Sequence, residues 1–208
     1  MNLLDNFINE CDIALKTLSF KKSGTGRSYP ANETSSSLSK KEKSLSAQLM
    51  RVNLAGEVAA QALYRGQAMV CKDAEIKNHL VQAGEEETDH LIWCKKRLEE
   101  LNGKPSILNP VWYAGSFAIG AIFGSFGEKT SLGFVEETEK QVVKHLEKHL
   151  DKVSKNDTET IEILKTMRAD EDEHAQEALE NGSESLSEPT KKLMSFTAKV
   201  MTSSSAYI

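Results

Sequence analysis

A lone Glu, then Glu-x-x-His one helical hairpin further on, occurs twice in this chain, and few folds accommodate that pattern. The first copy is Glu57 with Glu87-Thr88-Asp89-His90; the second is Glu139 with Glu171-Asp172-Glu173-His174. The gaps between the paired glutamates, 30 and 32 residues, each fit two antiparallel helices and a short turn. Two such hairpins packed face to face bring four carboxylates and two imidazoles to one point. That is the ligand inventory of a di-iron or di-manganese carboxylate site in a four-helix bundle.

Register within the helices makes the pattern informative. Around His90 the apolar seam runs Leu80, Ala83, Glu87, His90, Cys94, Leu98 and Leu101, so Glu87 and His90 stand where a core takes aliphatic side chains. The stretch around His174 repeats this with Ile161, Leu164, Glu171, His174 and Ala178. Glu57 shares a seam with Met50, Leu54, Gln61 and Tyr64, and Glu139 with Leu132, Val135, Val142, Leu146 and Leu150. A buried carboxylate is costly unless it is paired, protonated or metal-bound, and two dications neutralise four of them. Glu and His at i and i+3 lie on one helix face and reach the same metal. Acid runs such as Glu85-Glu86-Glu87 and Asp170-Glu171-Asp172-Glu173 usually form solvated faces. In each run, however, only the acid three residues before the His falls in the seam.

The 208 residues suffice for one core of moderate size. Pro is scarce at 4 residues and aromatics are 6%, which favours an all-α fold. A formal charge of -5 with no long basic patch argues against a nucleic-acid partner. Cys11, Cys71 and Cys94 lack disulfide or metal spacing and read as free thiols of a reducing compartment, Cys94 as core. Met1-Asn2-Leu3-Leu4-Asp5 has no basic start and carries an early acid. Neither a secretory signal nor a transit peptide is expected, and a cytosolic, bacterial-type protein is.

Three domains of the chain follow from composition. Residues 1–19 predict an amphipathic helix through Leu4, Phe7, Ile8, Cys11, Ala14, Leu15 and Leu18. Residues 20–45, with Lys21, Lys22, Gly24, Gly26, Pro30 and Ser35-Ser36-Ser37, predict a flexible connector. Residues 46–208 predict the bundle. Its helices are expected over 46–72, 74–101, 128–153 and 158–180, with a last helix over 188–201 and a polar tail at Thr202-Ser203-Ser204-Ser205. Between the hairpins, 107–126 is apolar, and no charge occurs from Val111 to Phe126. Those 16 residues fall short of the about 20 needed to cross a bilayer. A buried linking helix is one reading. The sharper one is a helix that touches lipid, or lines an access route for an apolar ligand, without spanning, with Trp112 and Tyr113 at the interface. Its test is liposome flotation of Phe117→Asp and Phe123→Asp proteins.

With these motifs in place, the chain resembles the bacterial-type demethoxyubiquinone hydroxylases, di-iron monooxygenases of ubiquinone biosynthesis in the ferritin-like superfamily. The resemblance rests on Arg51-Val52-Asn53-Leu54-Ala55-Gly56-Glu57, Glu87-Thr88-Asp89-His90, Asn109-Pro110-Val111-Trp112, Gly133-Phe134-Val135-Glu136-Glu137-Thr138-Glu139 and Glu171-Asp172-Glu173-His174, and covers essentially the whole chain. Leu54 departs from the pattern, since members often carry His there. The resemblance implies a ferritin-like four-helix bundle of two hairpins joined by the apolar linking helix, with extra N- and C-terminal helices. It implies two iron ions held by Glu57, Glu87, His90, Glu139, Glu171 and His174, with Glu87 and Glu171 the natural bridges. Tyr64 and His145 are candidates for orienting ligands or substrate. The implied reaction uses dioxygen to place one oxygen atom on a ring C–H of a polyprenyl methoxy-methyl-benzoquinol. Electrons would come from NADH, directly or through a reductase. The implied setting is peripheral, on the cytoplasmic side of the cell inner membrane, as a homo-oligomer or within a ubiquinone-biosynthesis complex.

Two readings of other kinds compete. An iron-storage or iron-oxidising protein would use the same ligands but needs a soluble cage, which gel filtration reveals against a 23.0 kDa chain. A non-enzymatic membrane-associated helical scaffold predicts no stoichiometric metal and little loss of stability on Glu87→Ala or Glu171→Ala.

Overall fold

The computed structural model describes residues 3–31 and 37–208, and all regular structure among them is helical. Met1, Asn2, Ser35 and Ser36 lie outside the described residues, as do the side chains of Leu4 and Phe7. The helices are α1 (Leu3–Leu18), α2 (Lys40–Val70), α3 (Ala74–Glu100), α4 (Asn109–Gly124), α5 (Glu128–Lys152), α6 (Thr158–Glu180) and α7 (Glu188–Ser205). Side-chain caps set several boundaries. Asp73 accepts from the backbone N–H groups of Glu75 and Ile76 to start α3, and Asp157 from that of Thr160 to start α6.

Two antiparallel hairpins, α2–α3 and α5–α6, form the bundle expected from the repeated motif. They are locked across their faces by polar bonds. Gln67 on α2 donates to the Ser131 carbonyl at 2.8 Å on α5. At the far end Arg97 on α3 reaches Asp157 at 2.6 Å and Thr160 at 2.9 Å at the start of α6. The apolar core between them includes Met50, Leu54, Leu98, Leu146, Ile163, Leu164 and Met167.

Two boundaries differ from expectation for identifiable reasons. α2 begins at Lys40, inside the expected connector, because Ser39 and Glu42 form a capping box and Ser154 and Asn156 bond Glu42 from the α5–α6 turn. α7 continues through the expected polar tail to Ser205. There Ser204 bonds back to the Val200 carbonyl at 2.7 Å, and Ser205 accepts the Trp112 indole N–H at 2.9 Å and is fully buried.

The apolar helix α4 lies outside the four-helix ring, against α2. Gly66 on α2 faces the Phe117 carbonyl of α4, and Gly120 faces the Leu63 carbonyl of α2; a Cβ at either glycine would strike backbone. The two backbones therefore touch. Only Asn109, Tyr113, Gly120 and Gly124 of α4 are buried, and its outer stripe, Val111, Ala114, Ala118, Ile122 and, just beyond the helix, Phe126, is open. The buried linking helix is thus half right: one face is covered and the other bare. Phe117 and Phe123 turn inward, Phe117 onto the core and Phe123 onto Phe134 at 4.1 Å between ring centroids.

Candidate metal centre

All four bundle helices deliver one or two polar side chains to the middle of the apolar seam. Glu57 comes from α2, Glu87 and His90 from α3, Glu139 from α5, and Glu171 and His174 from α6, and all six are buried. Ligand atoms of Glu57, Glu87, His90 and Glu171 lie within 4.8 Å of one another. His90 presents Nδ1 inward, 3.0 Å from Glu87 Oε2, 3.2 Å from Glu171 Oε1 and 3.8 Å from Glu57 Oε2. His174 presents Nδ1 inward, 3.3 Å from Glu87 Oε1 and 3.3 Å from Glu171 Oε2. Glu87 and Glu171 each divide their two oxygens between the two imidazoles, the disposition a bridging carboxylate needs. Glu139 accepts a hydrogen bond from the Tyr64 hydroxyl at 2.8 Å, which brings Tyr64 to the edge of the cluster.

The outer nitrogens of the two histidines are held reciprocally. His90 Nε2 lies 2.8 Å from Asp170, the residue before Glu171, and His174 Nε2 lies 2.9 Å from Glu86, the residue before Glu87. Each imidazole is therefore oriented by an acid from the opposite hairpin, which fixes Nδ1 toward the centre. Neither Asp170 nor Glu86 falls in its own helix's seam, so both are expected on solvated faces, and the structure instead turns each onto a histidine of the other hairpin. The available signal was positional: an acid directly precedes the seam Glu in both copies.

Electrostatics matches the geometry. Burial raises the Glu57 carboxyl well above its usual range, and the like charges of Glu87 and Glu171 add to it. Glu139 is raised in the same way, by burial and then by Glu171 and Glu87. Burial alone would lower His90, but Glu171 and Glu87, with Asp170 behind, push it well above the usual imidazole range. His174 is pushed up to about 12 against the same opposing burial, by Glu171 and Glu87. Glu87 is held well below its usual range, since His90 and His174 outweigh burial.

The donor set fits a pair of dications. Among the described residues no Lys or Arg is paired with Glu57, Glu87, Glu139 or Glu171. Glu87 Oε1 is buried 3.3 Å from His174 Nδ1 yet makes no aligned hydrogen bond, an oxygen lone pair turned into the cluster. Carboxylates and imidazoles in this mixture suit iron or manganese. His145 stands apart: among the described residues its Nε2 has no hydrogen-bond partner, and its ring lies 4.0 Å from that of His149.

Known proteins align with this sequence. Residues 44–205 match the family described as Ubiquinone biosynthesis protein COQ7. A protein of Legionella pneumophila (strain Lens) named 3-demethoxyubiquinol 3-hydroxylase is 50% identical over 209 aligned residues, covering 100% of this chain and 98% of that one. Proteins of the same name from Nitrosococcus oceani and Francisella philomiragia are each 48% identical. The first covers 100% of this chain and 98% of its own length, the second 97% and 96%.

Proposed function

The chain belongs to the COQ7 family of ubiquinone biosynthesis proteins, and from that membership we propose that it is a di-iron monooxygenase acting as a 3-demethoxyubiquinol 3-hydroxylase. The single observation that carries the metal assignment is the split of Glu87 and Glu171 between two inward-facing imidazoles. Glu57, Glu87, His90 and Glu171 would hold one ion, and Glu139, Glu87, His174 and Glu171 the other. When bound, the iron pair supplies dioxygen activation and the transfer of one oxygen atom to a ring C–H.

The protein's own groups do the rest. Asp170 and Glu86 hold the Nε2 sides of the imidazoles and so keep Nδ1 free for a metal. Tyr64 donates to Glu139 Oε1, which leaves Glu139 Oε2 as the free donor. Leu54, Val58, Cys94, Leu98 and Met167 wrap the seam with apolar surface that keeps water from the cluster.

A quinol with a polyprenyl tail must bring its ring to the cluster while the tail stays in lipid. No helix of the described residues is long and apolar enough to cross a membrane. At about 1.5 Å per residue α4 is about 24 Å long, short of a hydrocarbon layer of about 30 Å. The uncharged stripe of α4, with Val111 59% and Phe126 65% exposed, supports peripheral contact with the cytoplasmic face of the inner membrane. Ile8 and Leu15 on α1 and Leu193 and Phe196 on α7 add further exposed apolar surface. Electrons from NADH, directly or through a reductase, complete the reading.

The deciding experiment is a single turnover. Protein loaded with two ferrous ions is mixed anaerobically with a short-tailed demethoxyubiquinol, exposed to labelled dioxygen, and the product weighed. One labelled oxygen in the product, absent with Glu171→Ala, is expected. Iron oxidation without hydroxylated product would overturn the hydroxylase and leave iron handling.

A further inference from the structure

The two halves of the metal centre are nearly related by a twofold, and one segment breaks that relation. Residues 21–31 have no regular structure, yet they run across the outer side of His90 as a strap fastened at several points. Thr25 bonds Asp89 through both its backbone N–H, at 3.1 Å, and its hydroxyl. A Cβ at Gly24 would land on Asp89 Oδ1, so the strap passes in direct contact with that carboxylate. Tyr29 donates to Glu100 at 3.1 Å. Arg27 grips Asp170 with both guanidinium arms, at 3.0 and 2.7 Å, and lies 4.9 Å over the Trp93 ring.

Asp170 and Trp93 hold the outer side of His90. Asp170 holds its Nε2 at 2.8 Å, and Trp93 lies against its ring with centroids 5.3 Å apart. The equivalent acid on the other side, Glu86, has no guanidinium partner among the described residues; its second oxygen takes the amide of Gln82 at 3.1 Å. Glu173, which corresponds to Asp89 in the motif, is exposed, whereas Asp89 is buried under the strap. A bidentate, ionic clamp therefore backs one histidine and a neutral hydrogen bond the other.

We propose that Arg27 is a positioning residue for the His90 half of the centre, acting through Asp170 and Trp93, so that the connector ahead of the bundle controls how firmly one metal is held. The proposal rests on the metal-centre reading above. Neither arm of Arg27 reaches a ligand atom; its effect passes through the carboxylate that orients the imidazole. Because Arg27 is partly exposed and outside the core, replacing it leaves the helices and their packing intact.

The test measures metal retention rather than turnover. Wild type, Arg27→Gln, Arg27→Lys and Tyr29→Phe are loaded with ferrous ion under argon and challenged with a ferrous chelator, helix content being checked by far-UV circular dichroism. Arg27→Gln is expected to release iron about tenfold faster, the lower end of what loss of an outer-shell partner costs. Arg27→Lys keeps the charge and should recover part of that difference. Tyr29→Phe loosens the same strap away from Asp170 and should release iron as wild type does. Equal release by Arg27→Gln and wild type overturns the proposal, as does Tyr29→Phe matching Arg27→Gln. If wild type fails to retain two ferrous ions, the metal-centre reading falls first, and the proposal with it.

Discussion

At the scale of single residues, the centre is defined by which polar side chains the core tolerates and what compensates them. Glu57 and Glu139 hold their protons because they are buried among other carboxylates, and dications compete with those protons directly. Ferrous binding should therefore acidify a weakly buffered solution, and its apparent affinity should fall as pH is lowered; a titration that consumes no base would contradict this. Glu86→Gln removes the anion that orients His174 and should weaken metal binding about 10- to 100-fold, measured by chelator competition, with unchanged binding counting against the orienting role. The inward placement of the six residues was legible in the sequence because each stands in register with an apolar seam and must therefore face the core. Asp170, Glu86 and Arg27 were not, because what places them is the crossing of one hairpin by another or by the strap. No single-helix register contains that information.

At the scale of elements, α5, α2 and α4 each carry a feature that a substitution isolates. On α5, burial lowers His145 to about 4 and His149 to about 3, with Lys148 or His145 and Lys152 adding to it. Both rings stay neutral in the fold while the unfolded chain takes up protons below the ordinary histidine value near 6.5. Their contribution is intact above that pH and is lost as pH falls toward 4 and then 3. His149→Gln should flatten the fall of Tm between those limits; an identical acid limb in wild type and variant would refute it. On α2 and α4, Gly66→Ala or Gly120→Ala places a methyl against a carbonyl of the facing helix and should cost about 1–3 kcal/mol in denaturant unfolding. The hairpin helices were legible nearly to the residue from periodicity and stop signals. The start of α2 was misread because the Ser39–Glu42 capping box, a local signal, was included in the connector, and the end of α7 because Ser205 is held by Trp112, distant in sequence.

At the scale of the whole molecule, the hairpins enclose the candidate metal centre and α1, α4 and α7 dress their outside. The all-helical bundle could be foreseen from the motif repeat, whereas the bare side of α4 could not, since a run apolar on every side does not say which side is covered. The structure moves the membrane test to new positions. Ile122→Asp with Phe126→Asp should reduce flotation with liposomes while leaving bound iron unchanged, and equal flotation would remove α4 from the membrane reading. The glycine contact between α2 and α4 then acquires a mechanical meaning. With backbone against backbone there is no compliant layer between the surface that would rest on lipid and the helix that carries Glu57. If α4 rests on a bilayer as proposed, the cluster would follow whatever height the protein adopts, and the reach a tethered ring would have to span would be a constant of the fold, gauged by two missing methyl groups.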